Sequence, residues 1–328
     1  MREFSYARPS QPADALTAIA GTRGARYLGG GTNLVDLMKL GVESPGLLVD
    51  VTALPYDLVE EGAGGGLRVG SGVRNSDLAA NMAVRRRYPA LAQAVLAGAS
   101  GQLRNMATVG GNLLQRTRCS YFQDVTKPCN KRVPGSGCPA RQGEHHNLAI
   151  LGASPHCVAT HPSDMAVALA AFDAVVHVEG PAGPRQVPLS ELYRLPGDEP
   201  QHETTLDSGT LITTVELPAL PLAANSRYRK ARERASYAFA IGSVAAALAV
   251  VNGVVVDVRV ALGAVAPMPW RAHLAEQALR GGPATEQAFK EAADAELARA
   301  QPLRDNRYKI PLLRNLMVRT LSELLEAS

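Results

Sequence analysis

The stretch A-R-Y-L-G-G-G-T-N-L-V-D-L-M-K-L-G, residues 25–41, decides how this chain is read. Arg26, Tyr27 and Leu28 are strand-like, while Leu34, Leu37, Met38 and Gly41 recur at helical spacing. Between them lie Gly29, Gly30, Gly31, Thr32 and Asn33. Consecutive glycines let a backbone turn sharply and aim several N–H groups at one point, at the start of a helix whose dipole favours negative charge. A pyrophosphate suits such a nest; a turn that uses glycine only for steric reasons is the plainer alternative. The spacing is not G-x-G-x-x-G, and no Gly-Lys-Ser/Thr follows, so neither a Rossmann fingerprint nor a P-loop is present.

The theme returns in A-T-V-G-G-N-L-L-Q, residues 107–115, where Thr108, Gly110, Gly111 and Asn112 combine backbone access with two hydrogen-bonding side chains. Two glycine nests one helical unit apart point to a shared diphosphate ligand. Around them the pattern is α/β. Residues 12–20 read as a helix with Ser10 as N-cap, and G-L-L-V-D-V as a strand ending near Asp50. G-L-R-V-G-S-G-V opens a second unit. Its helix D-L-A-A-N-M-A-V-R-R-R is capped by Ser76 or Asp77, and L-A-Q-A-V-L-A-G-A is a further helix ended by Ser100-Gly101. Ser163 caps a helix through Ala171, followed by a strand A-V-V-H-V. A boundary fits the Pro- and Ala-rich stretch near 217–225. Beyond it two strand-like runs meet at Asn252-Gly253, a type I′ hairpin signal, and three helical segments follow. The expected domains are residues 1–222, in subdomains of about 1–55 and 56–222 with an insertion at 116–160, and residues 223–328, an α+β layer.

The 328 residues, 46% hydrophobic with a formal charge of +4, allow two or more cored domains and do not imply a nucleic-acid partner. No apolar run reaches the length of a membrane span, and the first residues lack a signal-peptide core. Export would therefore depend on a signal-bearing partner; otherwise the chain is cytoplasmic.

All four cysteines, Cys119, Cys129, Cys138 and Cys157, fall in one poorly periodic stretch with Pro128, Pro134, Gly135 and Gly137. The close C-x2-4-C pairs of structural zinc sites are absent, as are common ferredoxin spacings. Arg116, Arg118, Lys127, Lys131, Arg132 and Arg141 surround the thiols. They would compensate a negatively charged cluster and lower the thiol pKa values. Spacing and charge leave a metal or cluster, two disulfides, or unrelated thiols open. His145, His146, His156 and His161 read as hydrogen-bonded loop histidines.

R-Y-L-G-G-G-T-N-L, T-V-G-G-N, S-D-M (residues 163–165) and G-A-V-A-P-M-P-W-R (residues 263–271) together resemble the FAD-binding subunits of the xanthine dehydrogenase/aldehyde oxidoreductase family of molybdenum enzymes, along nearly the entire chain. The cysteine insertion resembles that of members whose flavin subunit carries an extra [4Fe-4S] cluster within a periplasmic heterotrimer. The resemblance implies an α+β fold: a vanillyl-alcohol-oxidase/PCMH-type FAD domain in two α/β subdomains, then a CO dehydrogenase flavoprotein-type C-terminal domain.

The same resemblance implies the site. Leu28, Gly29, Gly30, Gly31, Thr32, Asn33 and Leu34 would cradle the FAD pyrophosphate from one side, and Thr108, Gly110, Gly111 and Asn112 from the other. Asp164 would bind ribityl or ribose hydroxyls, Lys230 would lie near the flavin ring with Arg234 following, and Tyr237 would stack on the ring or belong to the core. Arg232 reads as a solvated strand cation. Cys119, Cys129, Cys138 and Cys157 would ligate the cluster. No catalytic residue is expected, because a molybdenum–pterin partner would oxidise an aldehyde, aromatic by preference. A small partner with two [2Fe-2S] clusters would relay electrons through FAD to an external acceptor. A-S-Y-A at residues 235–238 departs from the acidic residues that NAD-coupled members carry there. The rival readings are the beta subunit of a 4-hydroxybenzoyl-CoA reductase-like enzyme, a zinc-stabilised binding module and a degenerate flavoprotein scaffold.

Overall fold

The structure, a computed structural model, describes residues 1–327. The chain opens on a parallel sheet of β1 (Ser5–Ala7), β2 (Arg26–Leu28) and β3 (Leu47–Asp50), with β3 central. Helix Pro12–Ala20 buries Ala15 and Ile19 against Val49, Leu54 and Leu211. Its N-cap is Gln11, with no side-chain cap, and not Ser10. Pro12 sits at the start with φ already helical and no N–H to satisfy, so the cap is dispensable. β2 runs straight into the first glycine loop and then helix Leu34–Lys39.

The second sheet contains β4 (Val59–Glu61), β5 (Leu67–Gly70), β6 (Val175–Gly180), β7 (Gly183–Pro188) and β8 (Leu211–Leu217), in the antiparallel order β4-β5-β8-β6-β7. Helices Pro89–Ala97 and Asp164–Ala171 cover it and share its core. The single helix expected from D-L-A-A-N-M-A-V-R-R-R is two, Asn75–Ala80 and Met82–Arg87. Asn81 breaks it: its Oδ1 accepts from Ala83 N (2.9 Å) and Val84 N (3.1 Å). A short amide competes for backbone donors and starts a new helix. Ser76 and Asp77 cap neither: they lie inside the first helix, whose N-cap is Arg74 with no side-chain cap. Ser100 begins helix Gly101–Met106, where its Oγ accepts from Leu103 N. Ser163 caps Asp164–Ala171 through Ala166 N at 3.0 Å, as its position predicts.

The last sheet runs β12-β11-β10-β9, from β9 (Ser226–Ala231), β10 (Gly242–Val251), β11 (Val254–Gly263) and β12 (Trp270–Arg271). Asn252 and Gly253 turn the hairpin at φ +52° and +78°, the conformation a type I′ turn requires. β10 is apolar on both faces. Val244, Ala246 and Leu248 pack under helices His273–Leu279, Glu286–Leu297 and Lys309–Glu326, while Ala245 and Ala247 join the core of the second sheet. Small alanines let helix Asp164–Ala171 lie close against this sheet, which positions Asp164 beside β9. Among the described residues no helix is long and apolar enough to cross a membrane.

The cysteine segment has only a short helix, Ser120–Gln123, and one 3-10 turn, Pro139–Arg141. Its own small core joins Cys119, Phe122, Ala140, Leu148, Cys157 and Val158 with Leu37. The far end is tied to the C-terminal helices: Asn306 Nδ2 donates to Leu148 O and Ala149 O, and Lys309 Nζ donates to Asn147 O and Ala264 O at 2.8 Å.

Candidate functional site

The two glycine loops lie against each other. A Cβ on Gly30 would fall 1.8 Å from Met106 O, and one on Gly29 would fall 2.6 Å from Thr108 Oγ1. Gly31 adopts φ +73°. Glycine is therefore required by close backbone approach, not merely by a tight turn. Thr108 caps helix Val109–Leu113 by accepting from Gly111 N. Asn112 Oδ1 accepts from Ser163 Oγ (2.6 Å) and Gln115 Nε2 (3.0 Å). Asn33 Oδ1 accepts from Arg116 N at 2.8 Å, but its Nδ2 is buried with no partner.

Two cavities open from this junction. One, about 770 Å³, is walled by Tyr27, both glycine loops and residues 201–212. The other, about 630 Å³, reaches Asp164, Lys230 and Tyr237. Thr32, Asn33 and Gly111 border both. A two-lobed trough of this size, with backbone N–H groups and one unsatisfied amide donor at its waist, fits a long ligand with a central diphosphate. The residues present thus fit FAD.

In the second lobe, Asp164 Oδ2 is 2.7 Å from Lys230 Nζ and Oδ1 accepts from Tyr228 OH. Lys230 also donates to Ala97 O at 3.1 Å. Burial first, and Asp164 second, push the Tyr228 hydroxyl well above its ordinary range, so it remains a donor. Tyr228 escaped the sequence reading. The signal was available, because it stands two residues before Lys230 on β9, on the same face. Arg232 is half-buried and donates to Ala97 O, so it is not the solvated strand cation expected. Tyr237, 57% exposed at φ +52°, stands at the mouth and not in the core; Arg234 donates to its carbonyl and lies 5.5 Å over its ring. Phe239 and Arg118 line the same lobe, the guanidinium 5.0 Å from the ring.

All four cysteines are free thiols and border one small apolar cavity with Phe122, Lys131 and His156. Cys119 also lines the second lobe of the trough, so a single side chain separates the two sites. Lys131 pulls the Cys157 thiol down, but burial outweighs it. Burial raises Cys119 and Cys138 and pushes Cys157 up to about 11. The cations are engaged elsewhere: Arg116 with Glu43 and Glu203, Arg132 with the carbonyls of Tyr121, Asp124 and Lys127, and Arg141 with Ser154 O. The histidines are hydrogen-bonded or stacked: His145 between Ala140 O and Asp305 N, His146 on Tyr308. Among the described residues, no three or more His, Cys, Asp or Glu side chains are grouped to hold a single metal ion. A lone tetrahedral ion with bonds of about 2.3 Å would need sulfurs drawn tightly together, whereas a cuboidal cluster spreads four thiolates over its corners. The donor set, four thiols in an apolar pocket beside a lysine, fits a cluster in its chemistry.

Comparison with known proteins bears on the fold and on the glycine-loop trough. The family described as the FAD binding domain in molybdopterin dehydrogenase matches residues 2–220, and the CO dehydrogenase flavoprotein C-terminal domain matches residues 226–324. The chain is 48% identical over 324 residues, 98% of each chain, to the aldehyde oxidoreductase FAD-binding subunit PaoB of Escherichia coli K12. It is 26% identical over 305 residues to the glyceraldehyde dehydrogenase medium chain of Sulfolobus acidocaldarius, covering 93% of this chain and 91% of the other. Among solved structures, a chain of carbon monoxide dehydrogenase from Hydrogenophaga pseudoflava matches with a TM-score of 0.78 at 25% identity, over 99% of this chain and 98% of that one. A chain of quinoline 2-oxidoreductase from Pseudomonas putida 86 shares the fold with a TM-score of 0.77 at 22% identity, over 99% and 98%. The expected two-part α+β fold is therefore the observed one.

Proposed function

This chain belongs to the FAD-binding subunits of the molybdopterin dehydrogenases, and from that premise we propose that it is the FAD- and [4Fe-4S]-carrying electron-transfer subunit of a molybdenum-dependent aldehyde oxidoreductase. Substrate oxidation lies on a partner chain. The aldehyde assignment is supported by the 48% identity to an aldehyde oxidoreductase subunit over the full length. We propose an aromatic aldehyde as the preferred substrate, a [2Fe-2S] partner as the electron source, and an external acceptor. Membership of this family sets aside the zinc-stabilised binding module.

The observation that carries the FAD reading is the unpartnered, buried Asn33 Nδ2 at the waist of the trough. The loops at residues 28–34 and 108–112 would hold the diphosphate through backbone N–H groups, with Asn33 donating. Lys230 and Tyr228 fix the Asp164 carboxylate so that its remaining lone pairs can accept from ligand hydroxyls. Lys230 brings a positive charge to the lobe, and Tyr237 and Phe239 flank its mouth. When bound, FAD supplies a carrier that takes electrons singly and can release them in pairs; the protein supplies placement and electrostatics.

Cys119, Cys129, Cys138 and Cys157 would hold the cluster. Their shared pocket and free thiols favour this over disulfides. The place of Cys119 on both walls favours a cluster on the electron path over one that only braces the loop. We place the assembled complex in the periplasm, carried there by a signal-bearing partner. Flavin, iron and acid-labile sulfide content of the purified complex, with visible spectra before and after dithionite, tests the cofactor reading. One FAD and a four-iron complement beyond that of the partner support it, and FAD without the extra iron removes the cluster. Turnover of benzaldehyde against an aroyl-CoA tests the substrate class, and cell fractionation tests the compartment.

A further inference from the structure

We infer that Glu203 is a positioning residue that couples the glycine-loop cavity electrostatically to the cysteine pocket; the inference rests on the FAD and cluster reading above. Glu203 lies between helix Leu189–Leu192 and β8, on the wall of the glycine-loop cavity and remote in sequence from the cysteine pocket. Its Oε2 is 2.6 Å from Arg116 Nε, and its Oε1 is 3.0 Å from Lys131 Nζ. Each cation belongs to a different site. Arg116 donates its backbone N to Asn33 Oδ1, so it fixes the amide at the waist of the trough. Its guanidinium also meets Glu43 Oε1 at 2.5 Å and lies 4.5 Å from the Phe122 ring. Lys131 and Phe122 form part of the wall of the cysteine pocket. The Lys131 side chain is 6% exposed, and its ammonium also donates to Pro200 O at 3.0 Å. One carboxylate therefore holds the cation of each site in place.

Stability alone does not call for this arrangement, since a buried ion pair roughly breaks even against apolar packing. Its consequence is electrical. Arg116 and Lys131 are balanced by Glu43 and Glu203, with Arg26 at the rim reaching Glu43 at 3.5 Å. Neutralising Glu203 leaves one uncompensated positive charge between the two sites. Positive charge stabilises the more negative, reduced form of any nearby redox group and so raises its potential. In the native chain, Glu203 offsets the charge that Lys131 brings to the wall of the cysteine pocket and holds Arg116 behind Asn33.

The test uses the purified complex carrying Glu203→Gln, Lys131→Met, or both. FAD and iron contents are measured, and midpoint potentials are taken by absorbance for the flavin and by electron paramagnetic resonance for the clusters. Glu203→Gln should raise both potentials, Lys131→Met should lower that of the cysteine-held group, and the double variant should return toward the native values because charge balance is restored. A residue that only braces its segment would not follow charge in this way. Unchanged potentials in Glu203→Gln, with FAD and iron retained, overturn the inference. If Glu203→Gln loses cofactor, the double variant decides: recovery of occupancy and potential supports coupling, and recovery of neither overturns it. A complex with FAD but no extra iron overturns the cluster reading instead, and the flavin potential of Glu203→Gln then still decides the inference.

Discussion

Lys230 Nζ lies 2.7 Å from Asp164 Oδ2, and the two side chains are only 3% and 8% exposed. The pair joins β9 of the C-terminal unit to the helix capped by Ser163, on the wall of the second lobe. Breaking such a pair by removing one partner strands a buried charge and costs about 3–5 kcal/mol. Lys230→Met should therefore lower the unfolding midpoint sharply and reduce bound FAD. The double variant Lys230→Met/Asp164→Asn should recover much of the stability but not the FAD. Thermal unfolding and flavin content, measured on the same preparations, separate the two effects.

Gly30 and Gly46 make a matched comparison. A methyl group on Gly30 meets the Met106 carbonyl, a backbone atom that cannot swing aside, whereas one on Gly46 meets nothing within 4 Å. Gly30→Ala should force the two glycine loops apart and abolish stoichiometric FAD. Gly46→Ala should leave FAD content unchanged and stability within about 0.5 kcal/mol. Equal flavin content in both variants would show that the loops do not form the diphosphate site.

Asn33 offers a test of charge at the waist of the trough. Asn33→Asp keeps an acceptor for Arg116 N but places a carboxylate oxygen where the buried Nδ2 donor stands. A donor to an anion becomes a repelling charge. FAD affinity, followed by quenching of flavin fluorescence, should fall at least tenfold, or about 1.4 kcal/mol. Asn33→Ser, which is small and neutral, should lose less.

What was legible in the sequence was local. The glycine loops, the Ser163 cap and the Asn252-Gly253 turn depend on neighbouring residues and on φ, so a short window reveals them. The grouping of the thiols was legible for the same reason, because they share one insertion. Asn81 was misread because a helical pattern continues through it, while its amide competes for two backbone donors. The Arg116–Glu203–Lys131 link joins residues separated by 87 and 72 positions, and no window contains it. The cations near the cysteines misled on thiol pKa, because composition shows charge but neither burial nor existing partners.

Two desolvated bases should give the protein two separate pH-dependent steps. His161, half-buried with its Nε2 shielded from solvent and its ring 4.5 Å from that of Tyr193, has its pKa lowered by desolvation to about 4, and Lys309, fully buried and held by two carbonyls, is lowered by burial to about 7. In both cases the folded value lies below the unfolded one, so the unfolded chain binds more protons between them and stability rises with pH across that window. For His161 the window runs from about 4 to 6.5, and stability is lost as pH falls through it, by up to about 3 kcal/mol. For Lys309 it runs from about 7 to 10.4, and the penalty of the buried ammonium is relieved as pH rises. The windows do not overlap, so urea midpoints measured from pH 4 to 10 can assign each. His161→Gln should flatten only the acid slope. Lys309→Met should flatten only the alkaline one, although it also leaves Asn147 O and Ala264 O without this donor and lowers the midpoint at pH 9. The slope, and not the absolute stability, is the diagnostic quantity. An alkaline slope that survives Lys309→Met would mean that this lysine titrates in the folded chain as it does in the unfolded one.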